Sequence, residues 1–578
     1  MKIGCRILVI SALACLSAGM SAQNLDPTVV VSREYEGKLM EVHKPKLEMA
    51  VPDSVLRFDL DFDYSVSDRP YKGAYDFSPY ILDMRPAPAE YESGILYLNA
   101  GAGYQLRPEF DLVWSPVMKK PSFRMNVFAH HRSYIGRYQD IAPVESDGAV
   151  VFEPAGKDMV WNGMEMFNRA GVDGRVDWKK GTLGFDAGYY GIYQQDMTGT
   201  SGSRSFNAFD ASLAIKSKDS RDASFGYDVK LDYRYGNDAR ISPEIAPLSE
   251  NIFGLEASLV LPLKKAGRLR IDVDSDLVGY GGCFNAAASL VSLTPHYVRL
   301  GKTWDIDLGV RLSAVLRDKN MTDMYQDRIQ VIYPDFRVGL KAIPSIYIYA
   351  AVTGGPELET YSSLLASDSR VNPSYLLLSP GMLDMTDNSV KAEAGIEGRI
   401  TTRFTYAVRG GYSRFGNAPL SAVCFDGGMY CPGIAYSSYS KLFAALDCRL
   451  ETDRLDFAAS AGYSHFMTTG ETEGFLPSAF VADASFRYNW MKRIYAGVTC
   501  EVASARRGYI RMPGSDAVSY VNASVPGYVD LGVNLEYVFS RRLSCWIKGW
   551  NLLGMTVQRS IFYAEKGPGF TVGVCFNM

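Results

Sequence analysis

Beyond residue 92, apolar and polar positions alternate with a period of two in run after run. Phe225, Tyr227, Val229, Leu231, Tyr233 and Tyr235 are apolar, while Ser224, Gly226, Asp228, Lys230, Asp232 and Arg234 fill the places between them. The same pattern sets Leu269, Ile271 and Val273 against Arg268, Arg270, Asp272 and Asp274. It returns in Trp304, Ile306, Leu308, Val310 and Leu312 against Asp305, Asp307 and Arg311, and in Val529, Leu531, Val533 and Leu535 against Asp530, Asn534 and Glu536. Successive side chains of a strand point to opposite faces, so the pattern predicts strands with one apolar and one polar face. The runs extend about nine to fourteen residues, longer than the usual five or six of a soluble sheet and long enough for a tilted strand to cross a bilayer.

The connections alternate too. Tight links stand at Lys179-Lys180-Gly181, Gly301-Lys302, Ile343-Pro344, Thr401-Thr402, Met491-Lys492 and Arg541-Arg542. Longer polar stretches separate them at Ile135–Glu165, Asn237–Ser249, Arg317–Asp327, Gly354–Asn388, Phe415–Tyr436, Ser504–Pro526 and Gly554–Gly567. Short turns on one side and long loops on the other predict an all-β, antiparallel transmembrane barrel of about 22 strands over residues 92–578. One further alternating run, Leu56 to Tyr64, would make the count odd and is expected outside the wall. Phe570, Val572, Val574, Phe576 and Met578 give the last strand one apolar face, the form that barrel-assembly machinery recognises, and closure requires this strand to pair with the first.

The amino-terminal residues change the picture from a sheet to an exported one. Lys2 and Arg6 precede an uncharged stretch from Ile7 to Leu16 and a small-residue site at Ser21-Ala22, so residues 1–22 read as a signal peptide. Ala12-Leu13-Ala14 before Cys15 is a poor lipobox, and cleavage after Ala22 would remove that cysteine. No later run is long and apolar enough for a spanning helix, which leaves any crossing to strands. The 37 Tyr and 28 Phe suit the aromatic girdles of a barrel at its two bilayer interfaces. A net charge of −4 gives no reason to expect nucleic acid. Placement in a bacterial outer membrane brings lipid and lipopolysaccharide as surroundings.

Candidate chemistry is sparse. The five histidines, His43, His130, His131, His296 and His465, have no metal-ligand spacing, and no nucleophile elbow or phosphate loop is present, so neither enzyme, metal nor cofactor is expected. Of nine cysteines, Cys5 and Cys15 fall in the leader, and the remaining odd number does not make a disulfide framework. Only Cys424 and Cys431 lie close, and a bridge between them would close a hairpin tip in an oxidising compartment. The polar faces mix both charge signs, as in Asp173, Arg175 and Asp177, and favour neither anions nor cations.

Two local patterns resemble the TonB-dependent receptors. Trp550-Asn551-Leu552-Leu553 followed by Gly567-Pro568-Gly569-Phe570-Thr571-Val572 is similar to that family's closing strands, and Thr360-Tyr361-Ser362 through Asn372-Pro373-Ser374 is similar to its long mid-barrel loop. The resemblance implies nutrient uptake across the outer membrane. Residues 23–91 are too few for the family's plug, which implies a reduced plug or a leader in the periplasm or lumen. Thr28-Val29-Val30-Val31-Ser32 resembles a TonB box, which implies strand addition to TonB. A surface lipoprotein or plug-bearing partner is the other expectation for a barrel lacking a full plug. The alternative is a scaffold barrel for outer-membrane assembly, secretion or surface-protein export.

Overall fold

The computed structural model describes residues 95–578 apart from 119, 121, 147, 196–202, 219–224, 240–246, 264–266, 283–284, 318–330, 371–382, 427–428, 469–473 and 513–518. The leader, Thr28–Ser32 and Leu56–Tyr64 lie outside the described residues. The alternating runs are strands, and 22 of them form one closed antiparallel wall. Leu96–Gly103 pairs with Glu109–Trp114, which pairs with Phe123–Gln139, which in turn pairs with Val160–Trp178. From there each strand pairs with the next in the chain as far as Leu455–Thr468. Phe480–Trp490, Ile494–Ala503, Tyr528–Val538, Leu543–Trp550 and Gly569–Asn577 continue the wall.

Closure occurs where it was expected. Gly569–Asn577 runs antiparallel to Leu96–Gly103, with Asn577 opposite Tyr97 and Thr571 opposite Gly103. The Leu96 amide donates to the Met578 carbonyl at 3.0 Å, and the Met578 amide returns a bond to Leu96 at 2.8 Å. No edge is left at this seam to face hydrocarbon. Trp546 lies across the seam and donates from Nε1 to Asn99 at 2.6 Å. A Cβ on Gly101 would stand 2.6 Å from its ring, so the close approach needs glycine there.

The two faces differ as the pattern requires. Leu231, Phe253, Leu277, Leu308, Val310, Leu446, Val533 and Val574 are exposed on the outside, where lipid replaces water. Phe570, Val572 and Met578 share that outer exposure on the last strand. Asp232, Arg234, Glu256, Asp274, Arg311 and Asn534 face the interior. The turns at the end holding Ile95 and Met578 are short, which marks that end as periplasmic; Met491 and Lys492, with φ of 54° and 58°, close one of them tightly.

The long polar segments at the other end contain more strand than the alternation suggested. Phe415–Tyr436 is not a loop but the outer part of two strands of 23 residues each, Phe404–Asp426 and Met429–Glu451. Ile135–Glu165 holds a hairpin, Ile141–Ser146 with Ala149–Pro154, and Ser504–Pro526 holds another, Arg506–Met512 with Ser519–Val525. The hairpins join through a parallel pairing of Ala523 with Val150, and Phe475 pairs with Gly508. Phe152, Val423, Phe475, Ile510, Ala523, Val525 and Ile561 are buried together between them. An apolar core of its own lets this apron stand beyond the membrane.

Candidate functional site

The lumen holds a cavity of about 2430 Å³ lined mainly by the inward residues of the wall. Charged groups there are paired across neighbouring strands. His130 Nδ1 is 3.0 Å from Asp111, to whose other oxygen Asn99 donates at 2.9 Å, and Arg132 reaches the same carboxylate. A second knot joins Arg270 Nε to Asp272 at 2.8 Å, Arg270 Nη2 to Asp307 at 3.1 Å, and His296 Nδ1 to Asp307 at 2.8 Å. Gly309 leaves room for the His296 ring, which a Cβ there would strike. Such pairing offsets the cost of holding charge against a low-dielectric wall.

The outer end of the cavity is roofed by two segments that fold inward. The connection after Ile346–Leu358 carries a short helix, α1, at Tyr361–Ser367. Thr360 caps it by accepting from the Ser363 amide at 3.0 Å, while Ser363 Oγ accepts from the Thr360 amide at 2.9 Å. Both bonds satisfy donors that the first turn would otherwise leave unpaired. The backbone then meets Glu250, which accepts the Tyr361 amide at 2.8 Å, the Ser362 amide at 3.2 Å and the Ser362 hydroxyl. Tyr280 adds its hydroxyl to Glu250 at 3.0 Å. Arg204 donates to Asp238 at 3.0 Å, to the Tyr361 hydroxyl at 3.1 Å and to the Ser369 carbonyl at 2.9 Å, and the Tyr361 hydroxyl donates to Asp238. Leu364, Leu365, Leu383 and Met385 pack with Phe206, Leu248, Val278 and Leu290 of the wall.

The same segment reaches the connection between the last two wall strands. Ser560 donates to Asp368 at 2.6 Å, and the Arg370 guanidinium stacks 4.7 Å from the Tyr563 ring while pairing with Glu165 at 3.4 Å. Lys566 also pairs with Glu165, and Arg559 donates to Glu501 at 2.8 Å. Burial raises the Asp368 carboxyl above its ordinary range, against the pull of the Ser560 hydroxyl, the Arg370 amide and the nearby Arg506 and Arg370 charges. Burial likewise holds the Tyr361 phenol neutral.

Sequence reasoning singled out the segment around Thr360-Tyr361-Ser362 but not its partners Glu250, Arg204, Asp238 and Ser560, which lie more than a hundred positions away in the chain. Cys424 and Cys431 stand directly opposite each other in backbone register. His131 faces outward and bonds Asn168 at 2.7 Å, apart from the inward His130. Among the described residues no cluster of three or more His, Cys, Asp or Glu is arranged to hold a metal ion.

No protein-family model matches the sequence, and neither does any curated protein. Solved structures match the fold. The ferripyoverdine receptor of the outer membrane of Pseudomonas aeruginosa is 9% identical, with 84% of this chain and 71% of that chain covered at a TM-score of 0.58. The FrpB iron transporter of Neisseria meningitidis is 9% identical, with 84% and 82% covered at 0.58. The copper transporter OprC is 10% identical, with 84% and 80% covered at 0.58. At such identities the likeness is one of fold: a closed 22-stranded barrel of the kind found in TonB-dependent receptors.

Proposed function

We propose that this chain is an outer-membrane uptake barrel, receptor-like in form, that admits a nutrient from outside into its lumen. The observation that carries the reading is the charged cavity of about 2430 Å³ inside a closed wall, with its outer end roofed by loop segments rather than by an enzyme-like cleft. A transport role also agrees with the solved neighbours, whose names are those of receptors and transporters for iron, copper or a siderophore complex. Residues 1–22 then serve as the leader, and residues 23–91 as a reduced plug or periplasmic leader whose Thr28–Ser32 stretch engages TonB by strand addition. Phe570, Val572, Val574, Phe576 and Met578 are the face offered to the assembly machinery, and lipopolysaccharide surrounds the outer leaflet. A plug-bearing protein or surface lipoprotein is a natural partner if residues 23–91 leave the lumen uncovered.

A scaffold for secretion or surface export is the second reading, and the apron with its own apolar core is the observation that favours it. Purified protein in planar bilayers separates the two. Discrete conductance, with growth on a limiting nutrient that depends on the gene, supports uptake. Absence of conductance, together with co-purification of assembly or secretion components, would overturn it in favour of the scaffold.

A further inference from the structure

Glu250 and Arg204 each hold a segment that starts far from them around the wall. The strands leading into and out of that segment are Ile346–Leu358 and Met385–Thr401, whereas Arg204, Asp238, Glu250 and Tyr280 stand on four consecutive strands between Ser203 and Gly282. Its far end meets Ser560 and Tyr563, between Leu543–Trp550 and Gly569–Asn577. One stretch of backbone, Tyr361 to Arg370, therefore ties the strands that lead into it to the inner face of the arc from Val160–Trp178 to Gly267–Gly282 and to the connection before the last strand.

We propose that Tyr361–Arg370 is a fixed strut in the outer mouth, held in place by Glu250 and Arg204, and that it sets the upper size of the solutes that reach the lumen. The inference rests on the uptake reading for its physiological meaning. Its physical content stands on the anchoring. Glu250 is 1% exposed and accepts two backbone amides and two hydroxyls, and Arg204 at 4% exposure bonds three different groups. A gate that opened in each cycle would have to strand these buried groups, a cost that a fixed element avoids. Leu364 and Leu365 add apolar burial on the same wall. The surface that the strut turns to the cavity carries Thr360, Ser362, Ser363, Ala366 and Ser367, all small and uncharged. Solutes pass beside it, so it discriminates by size rather than by charge.

Glu250 and Arg204 act through the strut and are positioning residues. Their test is the accessibility of one lumen cysteine, Ser460→Cys, in full-length protein whose other mature cysteines are serine, labelled in intact cells. Ser460 lines the cavity. A small maleimide is expected to label it readily, and a polyethylene-glycol maleimide of several kilodaltons very slowly. Glu250→Ala and Arg204→Ala should speed the large reagent at least about tenfold while leaving the small one within about twofold, and Glu250→Gln, which keeps one of the two acceptor oxygens, should fall between the parent and Glu250→Ala. Rapid labelling of the parent by the large reagent, or no change in either alanine variant, overturns the proposal. Heat-modifiable migration confirms that each variant has folded.

Where an alanine variant fails to fold, a disulfide decides the question. Gln194 and Ser369 meet, Nε2 to Oγ at 3.2 Å, and in Gln194→Cys with Ser369→Cys an oxidised bridge, verified by mass spectrometry before labelling because a cysteine reaches less far than glutamine, locks the strut to the wall. A fixed strut predicts unchanged small-reagent labelling with the lock closed. Loss of that labelling, restored by reductant, would show a moving gate and overturn the proposal. Neither readout uses a nutrient, so failure of the uptake reading would appear separately, as growth that does not depend on the protein.

Discussion

At the residue scale, the chain shows how little of a polar contact is visible from one side of it. Asp368 is an ordinary loop aspartate in the sequence, yet in the structure it is 9% exposed and receives the Ser560 hydroxyl from a segment nearly two hundred positions away. Nothing periodic marks such a pair, because both partners sit outside the strands whose alternation is readable. The consequence is a pH dependence with a definite sign. A carboxyl whose pKa is raised on docking binds more protons docked than free, so docking strengthens as pH falls through the raised value and the gain is complete below the ordinary value of 3.8. Amide hydrogen exchange across Tyr361–Ser367 should therefore slow as pH falls from neutrality toward the ordinary carboxylate range, once corrected for intrinsic rates. Asp368→Asn should remove most of that dependence, and equal corrected slowing in the variant would assign the effect to other groups. The wall faces provide a second test at this scale. Val533 is 41% exposed on the lipid side and Asn534 lines the lumen. Val533→Arg should destabilise the folded barrel by about 2–4 kcal/mol if it lies near the bilayer midplane, with Asn534→Arg far milder in urea-titrated refolding into vesicles.

At the scale of elements, the period-two pattern was legible wherever one face met lipid. Leu531, Val533 and Leu535 had to be apolar because hydrocarbon lies outside them, and their neighbours had to be polar because water or charge lies within. Phe415–Tyr436 escaped that logic. Its strands rise past the bilayer, so neither face is obliged to be uniformly apolar, and its polarity reads as loop although the ladder continues to Asp426 and Met429. The hairpins of the apron were hidden for the same reason, and their core assembles from five separate stretches of chain. The continuous ladder sharpens one expectation about the cysteines. With Cys424 facing Cys431 in register, the pair should be oxidised in protein isolated from the outer membrane. Mass spectrometry after alkylation without reduction should find neither residue modified. Cys424→Ser should leave Cys431 alkylated, and alkylation of both in the parent would rule the bridge out.

At the scale of the whole molecule, the barrel was largely foreseeable and its stopper was not. Strand number, closure and polarity of the two ends follow from constraints that act on every strand alike: no unpaired backbone in lipid, short turns on one side, long loops on the other. What occupies a lumen depends on contacts that no periodicity records. A 22-stranded wall is wide enough to leak unless something obstructs it. The strut stands at the outer end, and the proposed roles of residues 23–91 and of a partner concern the rest of the opening. If Thr28–Ser32 works as a TonB box, Val30→Pro should abolish binding to the periplasmic domain of TonB, because proline removes a ladder amide and fixes φ. Barrel assembly should be untouched, since closure and the last strand's outer face are built from residues after Ile95. Deleting residues 23–50 should abolish TonB contact as well, and should raise the entry of large antibiotics only to the extent that those residues supplement the strut. Pull-down with TonB, growth on limiting nutrient and antibiotic susceptibility, taken together, read these arms independently. A deletion strain unchanged in all three would remove the box, leave the strut as the barrel's own obstruction, and shift the balance toward a scaffold.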